Sequence, residues 1–182
     1  MVIGLTGANA SGKGEVAQYL RSRDFIYHSL SDILREESKK MGIEPQRENL
    51  IRLGNQLRKQ EGPAVLALRI IEKLSENKNH IVDSIRNPAE VEALRGVKGF
   101  LLFGIDAPVE VRFRRGLKRS RPGDALTLED FIKKEGEENI PNAENQQLKK
   151  CLEMSDTVIV NNSSFEELYK KIDETLEKNK SR

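Results

Sequence analysis

The chain has 182 residues, of which 33% are charged, with a formal net charge of +2 and one cysteine. That length suits one α/β domain with a sizeable core, and the near balance of interspersed charge argues against a bulk electrostatic role on nucleic acid or on a membrane. A lone thiol excludes an internal disulfide and a cysteine metal cluster, no apolar run reaches membrane-spanning length, and the start has no signal-peptide pattern. The expectation is a cytoplasmic protein, monomeric or homodimeric.

Apolar runs at Val2–Thr6, Phe25–His28, Ile81–Asp83, Phe100–Ile105 and Thr157–Val160 read as strands. Helical periodicity fills the intervals: Lys13–Arg21, Asp32–Lys40, Gln46–Lys59, Pro63–Leu74, Pro88–Leu94, Val109–Leu117, Leu128–Glu135, Glu144–Met154 and Phe165–Glu177. Gly62-Pro63 separates two of these helices, and Ser120–Ala125 is the most loop-like interior stretch. Strands alternating with helices predict a parallel sheet with right-handed crossovers and helices on both faces, within a single domain spanning residues 1–182.

The first strand leads into Gly7-Ala8-Asn9-Ala10-Ser11-Gly12-Lys13-Gly14, which fits the phosphate-binding loop of glycine, four variable residues, then Gly-Lys. Strand, glycine-rich turn and helix together are the setting this motif requires. Backbone N–H groups of such a loop converge on phosphates, the helix N-terminus adds partial positive charge, and Lys13 adds a full one. A nucleoside triphosphate is the implied ligand. A flexible glycine-rich turn is the plainer alternative.

Open parallel sheets bind ligands at the carboxyl ends of their strands, which directs attention to three further segments. After the second strand, Asp32 and Arg35 form either a surface ion pair on a capped helix or an arginine fork for an acceptor phosphate. At the end of the third, Asp83 is placed to hold Mg²⁺ through water or to polarise an acceptor, and Arg86 to reach a transferred or accepting phosphate. The third, Arg112–Arg121, carries six positive charges in ten residues without an acid. Arg115 and Arg119, four apart, share a helix face, and with Arg121 they suit a lid that neutralises phosphate charge and excludes water. The segment lacks the interleaved aromatics of a single-strand nucleic-acid surface. Asn55 and Arg58, on one predicted helix, are candidates to read the acceptor's base or phosphate, or else belong to an ordinary solvated helix. His28 is a candidate acceptor contact; His80 and Cys151 read as structural.

Gly12-Lys13-Gly14 resembles the loop of adenylate kinases, Asp32-Ile33-Leu34-Arg35 the Asp-x-Leu-Arg of nucleoside monophosphate kinases, and Val82-Asp83-Ser84-Ile85-Arg86 their Asp-Gly-Phe-Pro-Arg with one residue fewer. Arg115-x-x-x-Arg119 looks like their lid arginines. Gln146-Gln147 followed by Asp156–Asn161 resembles the ending of dephospho-CoA kinases. The resemblance implies a P-loop kinase three-layer sandwich with a five-stranded parallel sheet ordered 2-3-1-4-5. The acceptor helices would lie at about 30–75 and a short lid at about 115–127. It also implies ATP and Mg²⁺ as cofactors, a small-molecule phosphate acceptor, and a place near the adenine for Asn161. The expected activity is transfer of the γ-phosphoryl of ATP to a nucleoside or deoxynucleoside monophosphate. A kinase of dephospho-CoA or another small molecule, or an ATP-binding regulatory module, are the alternatives. Two departures stand out. Position 14 lacks the hydroxyl that usually meets Mg²⁺, and Glu15 stands where adenylate kinases have threonine; it is expected to point away from the triphosphate.

Overall fold

A computed structural model of the chain describes residues 1–120, 124–137, 139 and 142–179. In chain order the elements are β1 (Val2–Thr6), α1 (Lys13–Arg21), β2 (Ile26–Ser29), α2 (Leu30–Lys40), α3 (Arg47–Glu61), α4 (Val65–Ile71), β3 (His80–Ile85), α5 (Pro88–Arg95), β4 (Phe100–Asp106), α6 (Val109–Arg119), α7 (Leu128–Glu137), α8 (Leu148–Glu153), β5 (Thr157–Val160) and α9 (Phe165–Asn179). The sheet is parallel throughout, in the order β2-β3-β1-β4-β5. This is the order expected from the sequence.

The central strand β1 is buried along its whole length, as a strand covered on both faces must be. Its alternate residues feed two cores. Val2 joins Leu34, Leu53, Leu66, Val91 and Cys151 beneath α2–α5 and α8. Ile3 and Leu5 join Val16, Leu20, Leu168 and Ile172 beneath α1 and α9. The Cys151 thiol is buried, and that burial pushes its pKa up to about 12, so it is an inert core group.

Among the boundaries that differ from expectation, three have a local reason. β2 runs one residue further and α2 begins at Leu30, so Ser31 and Asp32 occupy the helix's first turn and do not cap it. β3 continues to Ile85 through a bulge: Gly4 pairs with Val82 but Thr6 with Ile85, leaving one extra residue on β3. Ser84 takes a left-handed φ of 66°, and its N–H donates to Asp83 Oδ1 at 2.6 Å, which aims the aspartate along the sheet edge. Residues 144–147 are not helical. They form a strut whose Gln147 N–H donates to the Arg86 carbonyl at 2.7 Å.

Helices α3 and α5 are locked together by one buried ion pair. Glu90 Oε1 accepts from Arg58 Nε (3.1 Å) and Nη2 (2.8 Å), while Oε2 accepts from the N–H groups of Arg86 (2.9 Å) and Asn87 (3.0 Å). Asn87 closes a capping box at the start of α5, with Pro88 in the first turn. The two charged side chains are 2% and 0% exposed. Removing one partner strands the other charge in the core, so Arg58→Ala is expected to cost about 3 kcal/mol or more in urea unfolding. A loss below about 1 kcal/mol would contradict this account of the pair.

Candidate functional site: a phosphate loop opening onto an arginine-lined chamber

All five strands point their carboxyl ends at one edge of the sheet, and residues 7–12 cross it. Gly12 caps α1 with φ 105°, and a methyl there would collide with the Asn161 side chain; Gly7 has φ 137°, and a methyl there would strike the Ile105 carbonyl. The loop is therefore wedged between β4 and the segment after β5, and those two positions require glycine. Asn161 Nδ2 donates to the Ser11 carbonyl at 2.9 Å, and its own N–H donates to the Asp106 carbonyl at 2.7 Å. Asn161, expected near an adenine, stands on the wall of the cavity over the loop, and this geometry also gives its side chain a structural task. Its amide is buried and holds the loop's backbone, with Arg115 Nη2 on its Oδ1 at 3.3 Å.

Lys13 reaches back over the loop and donates from Nζ to the carbonyls of Gly7 (2.6 Å) and Ala8 (2.9 Å). Burial pushes its pKa down to about 8; nearby Asp83 opposes the shift, and Arg86, Arg47 and Arg112 add to it. The cavity over the loop, about 930 Å³, is lined by the loop, Glu15, Tyr27, Asp83, Arg35, Arg86, Arg115, Lys118 and Arg119, and reaches Ser163–Glu166. Asp83 Oδ2 accepts from the Tyr27 hydroxyl at 2.9 Å. Burial, then the Asp83 carboxylate, raises the Tyr27 phenol above its ordinary range, so it stays a donor. Ser11 Oγ is buried in the loop without a hydrogen-bond partner.

A second cavity of about 400 Å³ adjoins the first. Its walls include Leu30, Leu34, Leu50, Ile51 and Leu66, with Arg35, Arg47, Arg58, Arg86 and Arg119 against the carboxylates Glu44 and Asp124. Asn9, Ser31, Arg35, Ser84, Arg86 and Arg119 line both cavities, so three arginines stand at the junction.

Other sequence candidates fall in different places. Arg35 is in the junction, but Asp32 lines neither cavity and grips Arg35 at 2.7 Å with both side chains about half exposed, so the ion-pair reading holds for Asp32. Asn55 is also outside both; it donates to Asn145 Oδ1 at 2.9 Å and ties α3 to the strut. Arg58 touches the smaller cavity while its guanidinium is held by Glu90, which makes it a structural cation. Arg121 lies outside the described residues. His28 bonds to His80 across the β2–β3 pairing at 3.0 Å and lines neither cavity, so it is no acceptor contact. The basic run on α6 divides. Arg112 is buried, bonded to the Ala107 carbonyl and to Glu135, whereas Arg115 and Arg119 face the loop, Arg119 reaching Asn9 Oδ1 (3.2 Å) and Asp124 (3.0 Å). Sequence reasoning missed Gln146 as a site residue. It is buried, and its Oε1 accepts from Arg86 Nη1 at 3.0 Å, so it aims the central arginine. Its only signal was the Gln-Gln pair that supported the family resemblance.

Two outcomes follow. Gly12→Ala is expected to abolish polyphosphate binding, whereas Gly14→Ala, whose methyl meets open space, folds and binds; calorimetry with tripolyphosphate distinguishes them. A polyphosphate beside Lys13 favours its ammonium, so above pH 8 binding must take up a proton. Affinity is expected to fall as pH rises from 8 to 9.5, by up to about tenfold per unit. Lys13→Arg, which stays charged, should flatten that slope.

Residues 3–129 match a family described as AAA domain. Among curated relatives, a UPF0200 protein of Sulfurisphaera tokodaii is 30% identical over 97% of this chain and 96% of its own length, and one from Pyrococcus horikoshii is 31% identical over 98% and 97%. A UPF0200/UPF0201 protein of Archaeoglobus fulgidus is 35% identical, and there the chain spans about half (54%) of the relative's length. Among solved structures, shikimate kinase from Aquifex aeolicus superposes with a TM-score of 0.53 at 25% identity, each chain 98% covered. TT1252 from Thermus thermophilus superposes at 0.62 with 21% identity over 98% of this chain and 97% of its own. The fold is that of the P-loop kinases. No helix among the described residues is long and apolar enough to cross a membrane. Loop, sheet order and near full-length similarity agree: the chain belongs to the UPF0200 family and carries its P-loop domain of the AAA type.

Proposed function

We propose that the chain is an ATP-dependent phosphotransferase that moves the γ-phosphoryl group of ATP to a nucleoside or deoxynucleoside monophosphate. The observation that carries this reading is the junction of the two cavities. A phosphate loop opens directly onto a smaller chamber, and Arg35, Arg86 and Arg119 stand in the walls of both. Two polyanions that must approach each other need cations between them, and arginine's planar fork suits phosphate oxygens.

In this reading Lys13 and the amides of residues 8–14 hold the donor phosphates. Arg35 and Arg86 orient the acceptor phosphate, and its oxygen attacks the γ-phosphorus in line as the bond to the β,γ-bridging oxygen breaks and ADP leaves. Arg115 and Arg119 neutralise the equatorial oxygens. A phosphate acceptor is already anionic and needs no general base. That accords with Asp83, whose two oxygens take the Tyr27 hydroxyl and the Ser84 amide. Mg²⁺ travelling with ATP would screen the phosphates. The donor set fits a metal held through water by Asp83, because Gly14 offers no hydroxyl and no cluster of three metal-binding side chains occurs among the described residues. The apolar walls of the chamber suit the planar base and sugar of a nucleotide.

A second reading has its own support. The 25% identity to a shikimate kinase, together with Asp83 beside the loop, allows an acceptor hydroxyl on a molecule bearing a carboxylate or phosphate. Dephospho-CoA belongs to this class. An ATP-binding module without transfer is the outcome in which no acceptor stimulates turnover.

An acceptor panel with coupled ADP detection tests the proposal. The four common nucleoside monophosphates and their deoxy forms are run against dephospho-CoA and shikimate. Turnover with at least one monophosphate, reduced about 100-fold or more by Arg86→Ala with ATP affinity retained, is expected. Unchanged turnover in Arg86→Ala, or stimulation only by the hydroxyl acceptors, would reject it.

A further inference from the structure

The cavity over the loop reaches past the phosphate-binding residues to α9, with Glu15 of α1 also on its wall. There Phe165, the first residue of α9, is 57% exposed on the cavity wall. A large apolar ring left open at a polar mouth ordinarily folds back onto the surface. This one is supported from behind. Its ring stacks on Tyr169 (centroids 6.3 Å apart, planes 14° apart), and Tyr169 stacks on Tyr19 (4.1 Å, 5°). Residues 165 and 169 are one helical turn apart, so the three rings form a ladder braced by α1.

Beside this ladder stands Glu15, also on the cavity wall. A carboxylate two residues after the phosphate-binding lysine is unfavourable if it faces phosphate. The Tyr169 hydroxyl donates to Glu15 Oε1, and this bond raises the phenol's pKa, which keeps it a donor. The bond draws the carboxylate toward the aromatic ladder and leaves Oε2 as an acceptor for a ligand. A carboxylate accepts only, so its complement is a hydroxyl or an amino group.

We propose that Phe165 and Glu15 form the nucleoside subsite of the donor nucleotide, the ring stacking on the base and the carboxylate accepting a hydrogen bond from a sugar hydroxyl or a base amino group. Tyr169 is the positioning residue for both. This rests on the donor half of the functional reading above and assigns it a basis for selecting a whole nucleotide over bare polyphosphate. The cost of a negative charge near the phosphates is offset by what it reads.

The test is equilibrium binding of Mg-ATP and Mg-tripolyphosphate to the full chain. Wild type is expected to bind ATP at least about tenfold tighter than tripolyphosphate. Phe165→Ala and Glu15→Gln are each expected to weaken ATP about fivefold or more while leaving tripolyphosphate unchanged. Phe165→Leu, which keeps bulk without aromaticity, serves if the alanine variant is unstable. With 2′-deoxy-ATP, 3′-deoxy-ATP and the purine analogue lacking the amino group, the one that wild type and Glu15→Gln bind equally identifies the donor group read. An ATP-to-tripolyphosphate ratio that either variant leaves at the wild-type value overturns the subsite while the donor reading stands. Tighter tripolyphosphate binding by Glu15→Gln also overturns it, because the carboxylate would then face the phosphates. Failure of wild type to bind either ligand rejects the donor reading itself.

Discussion

One buried carboxylate organises the side of this molecule that carries α3, α5 and the smaller cavity. Glu90 takes the Arg58 guanidinium on one oxygen and two consecutive backbone N–H groups, of Arg86 and Asn87, on the other. That single group fixes the turn from β3 into α5, ties α3 against the sheet, and sets the backbone from which Arg86 projects. Asn87 continues the chain of constraint by donating to the carbonyls of Ala143 and Asn145, and the strut so held brings Gln146 onto Arg86. A buried polar network of this kind stiffens its surroundings because breaking any one member strands the others.

The phosphate-loop side is arranged on a different principle, with Lys13 and Arg115 provisionally satisfied by neutral acceptors. Lys13 sits on loop carbonyls and Arg115 leans on Ser11 and Asn161 at 3.3–3.4 Å; Arg119 is the exception, bonded to Asn9 but also ion-paired with the Asp124 carboxylate. Neutral carbonyls and amides hold a cation less firmly than a phosphate would, so each contact can be exchanged for a charge-assisted one without leaving a buried charge bare. The depressed pKa of Lys13 expresses the same condition: the ammonium is held in a place that favours it fully only when an anion arrives. Rigid positioning around the smaller cavity and exchangeable contacts around the phosphate loop are compatible because different elements carry them, α3 and α5 for one, the loop and α6 for the other.

Much of the fold was legible in the sequence because its causes are local and periodic. The fully apolar β1, the glycine pattern at Gly7 and Gly12, and the amphipathic α1 and α9 each specify their own conformation, and strands alternating with helices then leave few parallel topologies. The place of Lys13, Asp83, Arg86, Arg115 and Arg119 on the wall of one cavity was legible for the same reason: each follows a strand or a motif at a fixed spacing. The contacts that were not legible share the opposite property. Arg58, Asn55, His28 and Asn161 carry side chains suited to ligands, and nothing in their immediate neighbours tells that Glu90, Asn145, His80 and Ser11 are waiting for them.

The sequence alone thus determined the doubly covered parallel sheet, the phosphate loop and the supply of arginines at the strand ends, since these depend on neighbours within a few residues. Only the tertiary structure decided which arginines are structural and which face the cavities, because that choice depends on partners 23 to 104 residues away in the chain. It also decided the bulge that turns Asp83, the recruitment of Gln146, and the direction of Glu15. That carboxylate's place is set by a tyrosine 154 residues distant, which no local pattern could reveal.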